Sequence, residues 1–364
     1  MPARRKPSTA WRSATTTSRR KVSHNMGARN AVILGCGAIG PVHAAAIAEA
    51  ADAKLYGVCD IIPERSAALA GQYGCKSFTR AEDVLADPDV DTVHICLPHY
   101  LHAPMAIRAA EAGKHIVLEK PVALNAAEAG EIVRAVEKSG VTCCVILQNR
   151  FNPSVEKAKE WIDRGELGRM LGLRCILTWH RTPEYYRSED WRGKWATEGG
   201  GLLINQAVHM LDMLYHLGGE VEAVKGTTDT RVLQDVIEVE DTAEATLYYK
   251  DGKKGFFYAT NGYSGNSPFF VEMHMEKGLL RYTDNRLLLI RDGAEEVLAS
   301  DSAAELGKSY WGKGHAKLVA LYYRSRETGV KEYTGLSEAA ASMGLLDAIY
   351  ASSKSHAKET VHTY

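Results

Sequence analysis

The chain has 364 residues, with 44 Lys and Arg against 45 Asp and Glu and a formal net charge of −1. That length exceeds what one ordinary hydrophobic core takes up, so two domains are expected. The composition is that of a soluble globular protein, no apolar run reaches the length of a membrane span, and the acidic body of the chain argues against nucleic acid as a partner.

Charge is unevenly placed. Residues 1–30 hold eight Lys or Arg and no acid, which leaves a balance of −9 for the rest. Residues 1–29, rich in Arg, Ser and Thr, read as a disordered basic tail. Three origins compete for it. It is a simple tail, or an upstream start with Met26 as the true beginning; it is a transit peptide, being Arg- and Ser-rich and free of acid; or Arg19-Arg20 marks a twin-arginine signal. Lys21-Val22-Ser23-His24-Asn25 stands where the last would need an apolar stretch. The seven cysteines are odd in number, form no C-x-x-C pair and fall mostly in predicted strands. They read as reduced core thiols in a cytoplasmic setting, with no metal site expected.

From Ala31 the chain alternates strand and helix. Ala31-Val32-Ile33-Leu34 is a short apolar run of the buried parallel type, and it enters Gly35-Cys36-Gly37-Ala38-Ile39-Gly40. In a G-x-G-x-x-G turn the first glycine permits the sharp bend. The second lets backbone approach a pyrophosphate, and the third lets the next helix sit close. An Ala-rich helix follows, then a strand from Lys54 to Cys59 that ends in Asp60. A carboxylate there accepts from ribose hydroxyls and repels the 2′-phosphate of NADP, so NAD is the expected cofactor and NADP the disfavoured one. Further helices are predicted at Pro63 to Tyr73, Arg80 to Leu85, His102 to Ala112 and Asn125 to Ser139. Strands are predicted at Cys75 to Phe78, Val90 to Leu97, His115 to Leu118 and Val141 to Gln148. Such alternation implies right-handed crossovers and a doubly wound parallel sheet. Two strand ends face the expected ligand edge: Leu97-Pro98-His99-Tyr100-Leu101-His102, and Leu118-Glu119-Lys120-Pro121.

After Gln148-Asn149-Arg150-Phe151-Asn152-Pro153 the pattern changes. A helix near Ser154 to Gly165 precedes longer alternating strands, from Gly172 to Trp179 and then six more between Val221 and Arg291, joined by short turns. They indicate a mostly antiparallel sheet in an α+β domain, closed by helices near Gly314 to Arg326 and Leu336 to Ser353. The stretch from Glu198 to Gly219 reads as one apolar helix opened by Gly199-Gly200-Gly201, which would let backbone approach a bound molecule. Asn205, His209, Asp212 and His216 fall on one face of it. A polar stripe on a buried helix needs partners or a ligand. Trp179 to Tyr186 and Trp191 to Trp195 are dense in aromatic and basic groups, with Tyr186 a candidate for sugar contact and Arg150, Arg181 and Lys194 suited to an anionic substituent. Placed on opposite walls of one cleft, His209 suits a proton acceptor and Lys120 a hydrogen-bond donor to an alkoxide, though the two roles are exchangeable. Glu119 would orient Lys120 or the cofactor.

These pieces together resemble the Gfo/Idh/MocA family of NAD(P)-dependent oxidoreductases: Gly35-x-Gly37-x-x-Gly40, Asp60, Pro98-His99-x-x-His102, Glu119-Lys120-Pro121, Gln148-x-Arg150-x-Asn152-Pro153, the glycine triple with His209 and Asp212, and Glu240-Asp241-Thr242-Ala243. The resemblance covers about residues 30–355. It implies a Rossmann domain at 30–150 and, at 151–364, a substrate-binding and oligomerisation domain with a large open, mostly antiparallel sheet. It implies a homodimer or homotetramer. Lys120 and His209 would be catalytic. Gly35, Gly37, Ala38, Ile39, Gly40, Asp60, Leu97, Pro98, His99, His102, Glu119, Lys120, Gln148, Trp191 and Arg192 would line the cofactor, and Lys120, Arg150, Tyr186, Asn205 and His209 the substrate. The expected substrate is a sugar, sugar derivative or cyclitol, oxidised or reduced at a ring hydroxyl. Asn205 departs from the aspartate that many members carry four residues before the histidine, and resembles variants acting on a pyranose, at C3. The competing readings are a redox-neutral glycoside-cleaving enzyme with tightly held NAD, a non-catalytic NAD-dependent regulator, and an imine- or dihydrodiol-type reductase.

Overall fold

The computed structural model describes residues 27–302 and 312–362. The basic tail through residue 26 lies outside the described residues. Six strands form the first sheet: β1 (Arg29–Leu34), β2 (Ala53–Cys59), β3 (Lys76–Phe78), β4 (Thr92–Ile95), β5 (His115–Leu118) and β6 (Cys143–Val145). Their order is β3-β2-β1-β4-β5-β6, parallel throughout. Ala31 to Leu34 are buried on both faces, which is why the run is continuously apolar rather than alternating. The crossover helices are α1 (Gly40–Glu49), α2 (Pro63–Tyr73), α3 (Ala81–Ala86), α4 (His102–Glu111) and α5 (Ala126–Ser139). Their ends follow local chemistry. Pro63 opens α2, the Asn125 side chain accepts the Glu128 N–H at 3.0 Å to cap α5, and Gly140 closes α5 at φ +70°.

The second sheet has nine strands: β7 (Met170–Thr178), β8 (Val221–Asp229), β9 (Thr242–Tyr249), β10 (Lys254–Thr260), β11 (Phe270–Met275), β12 (Gly278–Thr283), β13 (Arg286–Arg291), β14 (Ala294–Ser300) and β15 (Glu359–Thr360). The order is β14-β13-β12-β11-β7-β10-β9-β8-β15. Among the described residues of this sheet only the β7–β10 pair is parallel. Helices α6 (Pro153–Arg164), α10 (Val208–Gly218) and α12 (Leu336–Ser355) cover one face and share its core, with Leu173, Leu177, Leu211, Leu214 and Leu346 fully or almost fully buried. The opposite face leaves Ile176 and Phe256 exposed. The sheet is larger than the sequence suggests. β14, mostly exposed and carrying two adjacent glutamates, lacks the alternation of a half-buried strand, and β15 is two residues long.

β6 ends at Val145 and β7 begins at Met170, but packing does not follow chain order. Helix α11 (Gly314–Thr328) returns to the first sheet. Its Leu318, Val319, Tyr322 and Tyr323 share a core with Ala31, Ile33, Ala44 and Ile47. All seven thiols are free, and six are buried. No helix among the described residues is long and apolar enough to cross a membrane.

The segment expected as one helix from Glu198 is two, α9 (Leu202–Asn205) and α10, while Glu198 closes the short α8 (Trp195–Glu198), itself preceded by α7 (Pro183–Arg187). The break at Gln206-Ala207 separates Asn205 from the other three polar residues, so the four do not share one helix face. The glycine triple also serves another purpose than expected. A Cβ on Gly199 would lie 2.8 Å from the Leu124 carbonyl oxygen, one on Gly200 2.0 Å from the Tyr350 hydroxyl, and one on Gly201 2.1 Å from the Glu240 carbonyl oxygen. These glycines admit close packing by the protein itself. The Glu240 carboxylate then accepts the N–H groups of Gly201 and Leu203 and the Tyr350 hydroxyl, which fixes the start of α9.

Candidate active site

The turn after β1 has the tolerances of a dinucleotide loop. Gly35 sits at φ +99°, and a Cβ there would lie 2.3 Å from the Cys96 carbonyl oxygen. A Cβ on Gly40 would lie 2.6 Å from the Gly35 oxygen, so the α1 start and the turn touch backbone to backbone. Gly37 differs: a Cβ there would meet nothing within 4 Å. Open space over the middle glycine, beside a helix N-terminus with no side-chain cap, is what an incoming pyrophosphate requires. Ala38 and Ile39 complete the turn. Asp60, at the end of β2, accepts the Cys36 N–H through Oδ2 at 2.8 Å and the Ile62 N–H through Oδ1 at 2.9 Å. It is therefore held rigidly against the loop, at the position where a ribose would hydrogen-bond. On these observations the residues fit NAD.

The next two strand ends are tied together by His102. Its ring places Nε2 2.8 Å from the Leu97 carbonyl oxygen and Nδ1 2.6 Å from that of Pro121. His99, after Pro98, sets Nδ1 2.9 Å from the Glu198 carbonyl oxygen and packs its ring 4.6 Å from that of Trp191. Burial, then the nearby Lys120 charge, holds the His99 imidazole well below its usual range. Trp191 and Arg192 belong to a loop folded on itself. Arg192 donates to the Tyr185 carbonyl oxygen at 3.0 Å and to Ser188 Oγ at 2.7 Å, with its guanidinium over the Tyr185 ring.

Lys120 precedes a cis peptide bond to Pro121 and is half-buried. Its Nζ donates to the Asn205 backbone oxygen at 2.9 Å and to Asn205 Oδ1 at 3.2 Å. Burial lowers its proton affinity; the Glu119 and Glu198 charges oppose this and Arg192 adds to it. Glu119 turns away from Lys120 Nζ. It accepts the Lys120 N–H through Oε2 at 3.1 Å, while its Oε1 meets His43 Nε2 at 2.9 Å and lies 3.6 Å from His315 Nε2. His43 continues through His94 (Nδ1 to Nδ1, 2.7 Å) to the Tyr323 hydroxyl. Glu119 thus holds the backbone that carries Lys120 and is itself held by α1 and α11.

From the second half, α10 brings in His209, which is buried with no hydrogen-bond partner on Nδ1. Burial first, and then Lys120, push this imidazole down to about 4. The Lys120 charge thus acts on the His209 imidazole. The remaining polar groups of α10 go elsewhere. Asp212 receives Arg150 in a buried bidentate pair, Nε to Oδ2 at 2.8 Å and Nη2 to Oδ1 at 2.6 Å. The third nitrogen of Arg150 lies 3.6 Å from Glu338, and Arg150 and His216 line a groove with Phe151 and Tyr333. Gln148 is buried, with Oε1 unpartnered. Tyr186 is buried with its hydroxyl accepting from Asn261 Nδ2 at 3.1 Å, whereas the Tyr185 hydroxyl is the one that reaches Asn205 (3.4 Å) and Gln206 (3.1 Å).

The structure therefore brings Lys120 at the C-terminal end of β5 against Asn205, leaves His209 of α10 within reach of the Lys120 charge, and commits Arg150 to Asp212 and Tyr186 to Asn261. Sequence reasoning passed over Tyr185 and Glu198. The signal for Glu198 was available: a carboxylate abutting three glycines in a stretch otherwise almost free of charge.

A parallel sheet with an open glycine loop after β1, an acid at the end of β2 and a partly buried lysine after β5 is the arrangement of a nicotinamide-dependent oxidoreductase. Residues 29–147 match the family model described as the oxidoreductase family with an NAD-binding Rossmann fold, and residues 155–281 match the GFO/IDH/MocA C-terminal domain. The chain belongs to this family. It is 30% identical over 285 residues to a levoglucosan dehydrogenase of Pseudarthrobacter phenanthrenivorans, covering 71% of this chain and 72% of that one. It is 27% identical to an inositol 2-dehydrogenase of Rhizobium meliloti, over 87% of this chain and 94% of the other. Among solved structures it superposes on the WlbA dehydrogenase from Bordetella pertussis, crystallised with NADH and UDP-GlcNAcA, at a TM-score of 0.84 and 30% identity, covering 93% of this chain and 99% of that one.

Proposed function

We propose that the chain transfers a hydride between NAD and a ring secondary alcohol or ketone of a sugar, sugar derivative or cyclitol. One observation carries this reading: Lys120 Nζ, in the segment after β5, is held by two oxygens of Asn205, and its charge reaches the buried imidazole of His209. The names of the relatives, which act on levoglucosan and inositol, support the substrate class.

The bound nicotinamide supplies the hydride acceptor or donor. The protein's residues do the rest. Lys120 donates to the reacting oxygen and stabilises the charge that develops as its proton leaves. His209, neutral at physiological pH because burial holds it near 4, takes that proton. Asn205 holds Lys120 in place. Asp60 favours NAD over NADP. The exposed Ile176 and Phe256 face of the nine-stranded sheet supports assembly into a dimer or tetramer.

The test is NADH formation, read at the nicotinamide absorbance, against free sugars, anhydrosugars, inositols, sugar acids and nucleotide sugars. At least one should turn over. Lys120→Ala should lower that turnover by about 10²- to 10⁴-fold while NAD affinity stays within about threefold. A full-rate Lys120→Ala variant removes the lysine from the chemistry.

A further inference from the structure

The reading above leaves a buried acid next to the partner of Lys120 unused. Glu198 ends α8 with its side chain wholly inside the protein, and burial raises its carboxyl to about 7 against the opposing Gly193 N–H, Asn205, Arg192 and Lys120. Taking a carboxylate out of water costs several kcal/mol unless something compensates. Its partners show what does. Glu198 Oε2 accepts the Gly193 N–H at 2.5 Å, and Oε1 accepts Asn205 Nδ2 at 2.6 Å. The same amide offers Oδ1 to Lys120 Nζ at 3.2 Å.

The amide can be oriented in one way only. Turned over, its NH2 would face the ammonium, which has donors but no acceptor. Both Glu198 oxygens act as acceptors, and across the alkaline range in which a lysine titrates the carboxyl is ionised. The sequence of contacts is therefore ammonium, amide, carboxylate. No direct ion pair joins Lys120 to Glu198 among the described residues. Other charged or titratable groups also face Lys120: Glu119 beside it, His99 and His102 from the β4 end, Arg192 from the aromatic loop and His209 from α10. Of the two acids among these, Glu119 directs its oxygens at His43, His315 and backbone, and Glu198 directs one at the group that holds Lys120 Nζ.

We propose that Glu198 is a positioning residue for Lys120: through the Asn205 amide its negative charge keeps the lysine protonated and aimed at the reacting oxygen. This rests on the reading that Lys120 serves that oxygen. An amide at position 205 then transmits the effect of a carboxylate set one side chain further back.

The test is the titration of Lys120 itself in the cofactor-free protein. Competitive acetylation with acetic anhydride, read by peptide mass spectrometry across pH, gives the midpoint of this one amine without any turnover. Glu198→Gln keeps the shape and removes the charge. Its Lys120 midpoint should fall by about one pH unit, so labelling at a fixed pH below the midpoint rises about tenfold. The alkaline limb of kcat/KM should move down by the same amount, with the KM for NAD unchanged. Glu198→Gln/Asn205→Asp returns a carboxylate to the ammonium and should restore most of the midpoint, which a merely structural Glu198 would not allow. An unchanged midpoint in Glu198→Gln, or a double variant no better than the single, overturns the proposal. If Glu198→Gln does not fold, Asn205→Leu cuts the same link, and an unchanged midpoint there overturns it equally. Labelling that shifts as expected in a protein inactive on every sugar would count against the proposed function and leave this pairing standing.

Discussion

The glycine loop makes opposite predictions for two alanine substitutions two residues apart. At Gly35 the backbone is left-handed and a Cβ would lie 2.3 Å from the Cys96 carbonyl oxygen, in a β1–β4 contact that cannot open without separating the strands. The positive φ costs about 1–2 kcal/mol, and forcing a methyl into packed backbone costs about 1–3 kcal/mol more. Gly35→Ala should therefore lose about 2–5 kcal/mol, a fall in Tm of roughly 5–15 °C. At Gly37 φ is not positive and the Cβ position is empty. Gly37→Ala should leave Tm unchanged or raise it slightly, since alanine lowers the entropy of the unfolded chain by an amount worth about 0.4–1 kcal/mol. Its methyl occupies the approach of the pyrophosphate, so NADH affinity should drop at least about tenfold, or about 1.4 kcal/mol. Thermal melts and titration of NADH by energy transfer from tryptophan separate the two effects. A Gly37→Ala protein that binds NADH normally, or one that melts as early as Gly35→Ala, refutes the assignment of the loop.

Three further outcomes follow from the site. Asp60→Ala should relax the preference for NAD over NADP and, because Asp60 also receives the Cys36 and Ile62 N–H groups, should cost about 1–3 kcal/mol in denaturant unfolding; full discrimination in the variant would contradict the ribose role. His209 sits at about 4 in the folded protein against 6.5 when free, so the unfolded chain takes up its proton first as pH falls. The stability this group confers is complete above pH 6.5 and is lost progressively down to about pH 4, about 3 kcal/mol in all. His209→Phe should flatten the pH dependence of unfolding in that window, and an unchanged slope would show the imidazole to be freely solvated. Asp212→Ala strands the buried Arg150 and should cost about 3–5 kcal/mol, whereas Arg150→Met/Asp212→Leu should recover most of it; equal losses in both would mean that the pair is more than a buried ion pair.

Much of this molecule is readable from its residues, for identifiable reasons. The buried run before Gly35, the alternation of short strands and Ala-rich helices, and Asp60 at a strand end are local signals, and the parallel sheet follows from them. Lys120 and His209 stand out in the sequence as candidates because one follows an apolar strand and the other interrupts an apolar helix, where a polar side chain has to find a partner. What spacing cannot show is contact across the chain. Arg150 reads as a cation for the substrate, and only the folded molecule pairs it with Asp212, 62 residues later. Tyr185 and Tyr186 are indistinguishable neighbours until a five-residue helix turns one hydroxyl toward Asn205 and the other toward Asn261. The periodicity that set Asn205, His209, Asp212 and His216 on one stripe fails at Gln206-Ala207, because the Glu240 carboxylate pins α9 by its N-terminal N–H groups.

The return of α11 to the first sheet bears on how the protein is made. Ile33 and Tyr323 share one core although nearly the whole described chain separates them, and His315 closes the cluster around Glu119. During synthesis the nucleotide-binding half must wait, one flank bare, until almost all of the polypeptide has left the ribosome. A fragment ending after the first sheet would carry that uncovered apolar surface and should aggregate. The cofactor cleft is thus assembled late, and a chain cut short before residue 314 is denied a working half as well as a whole.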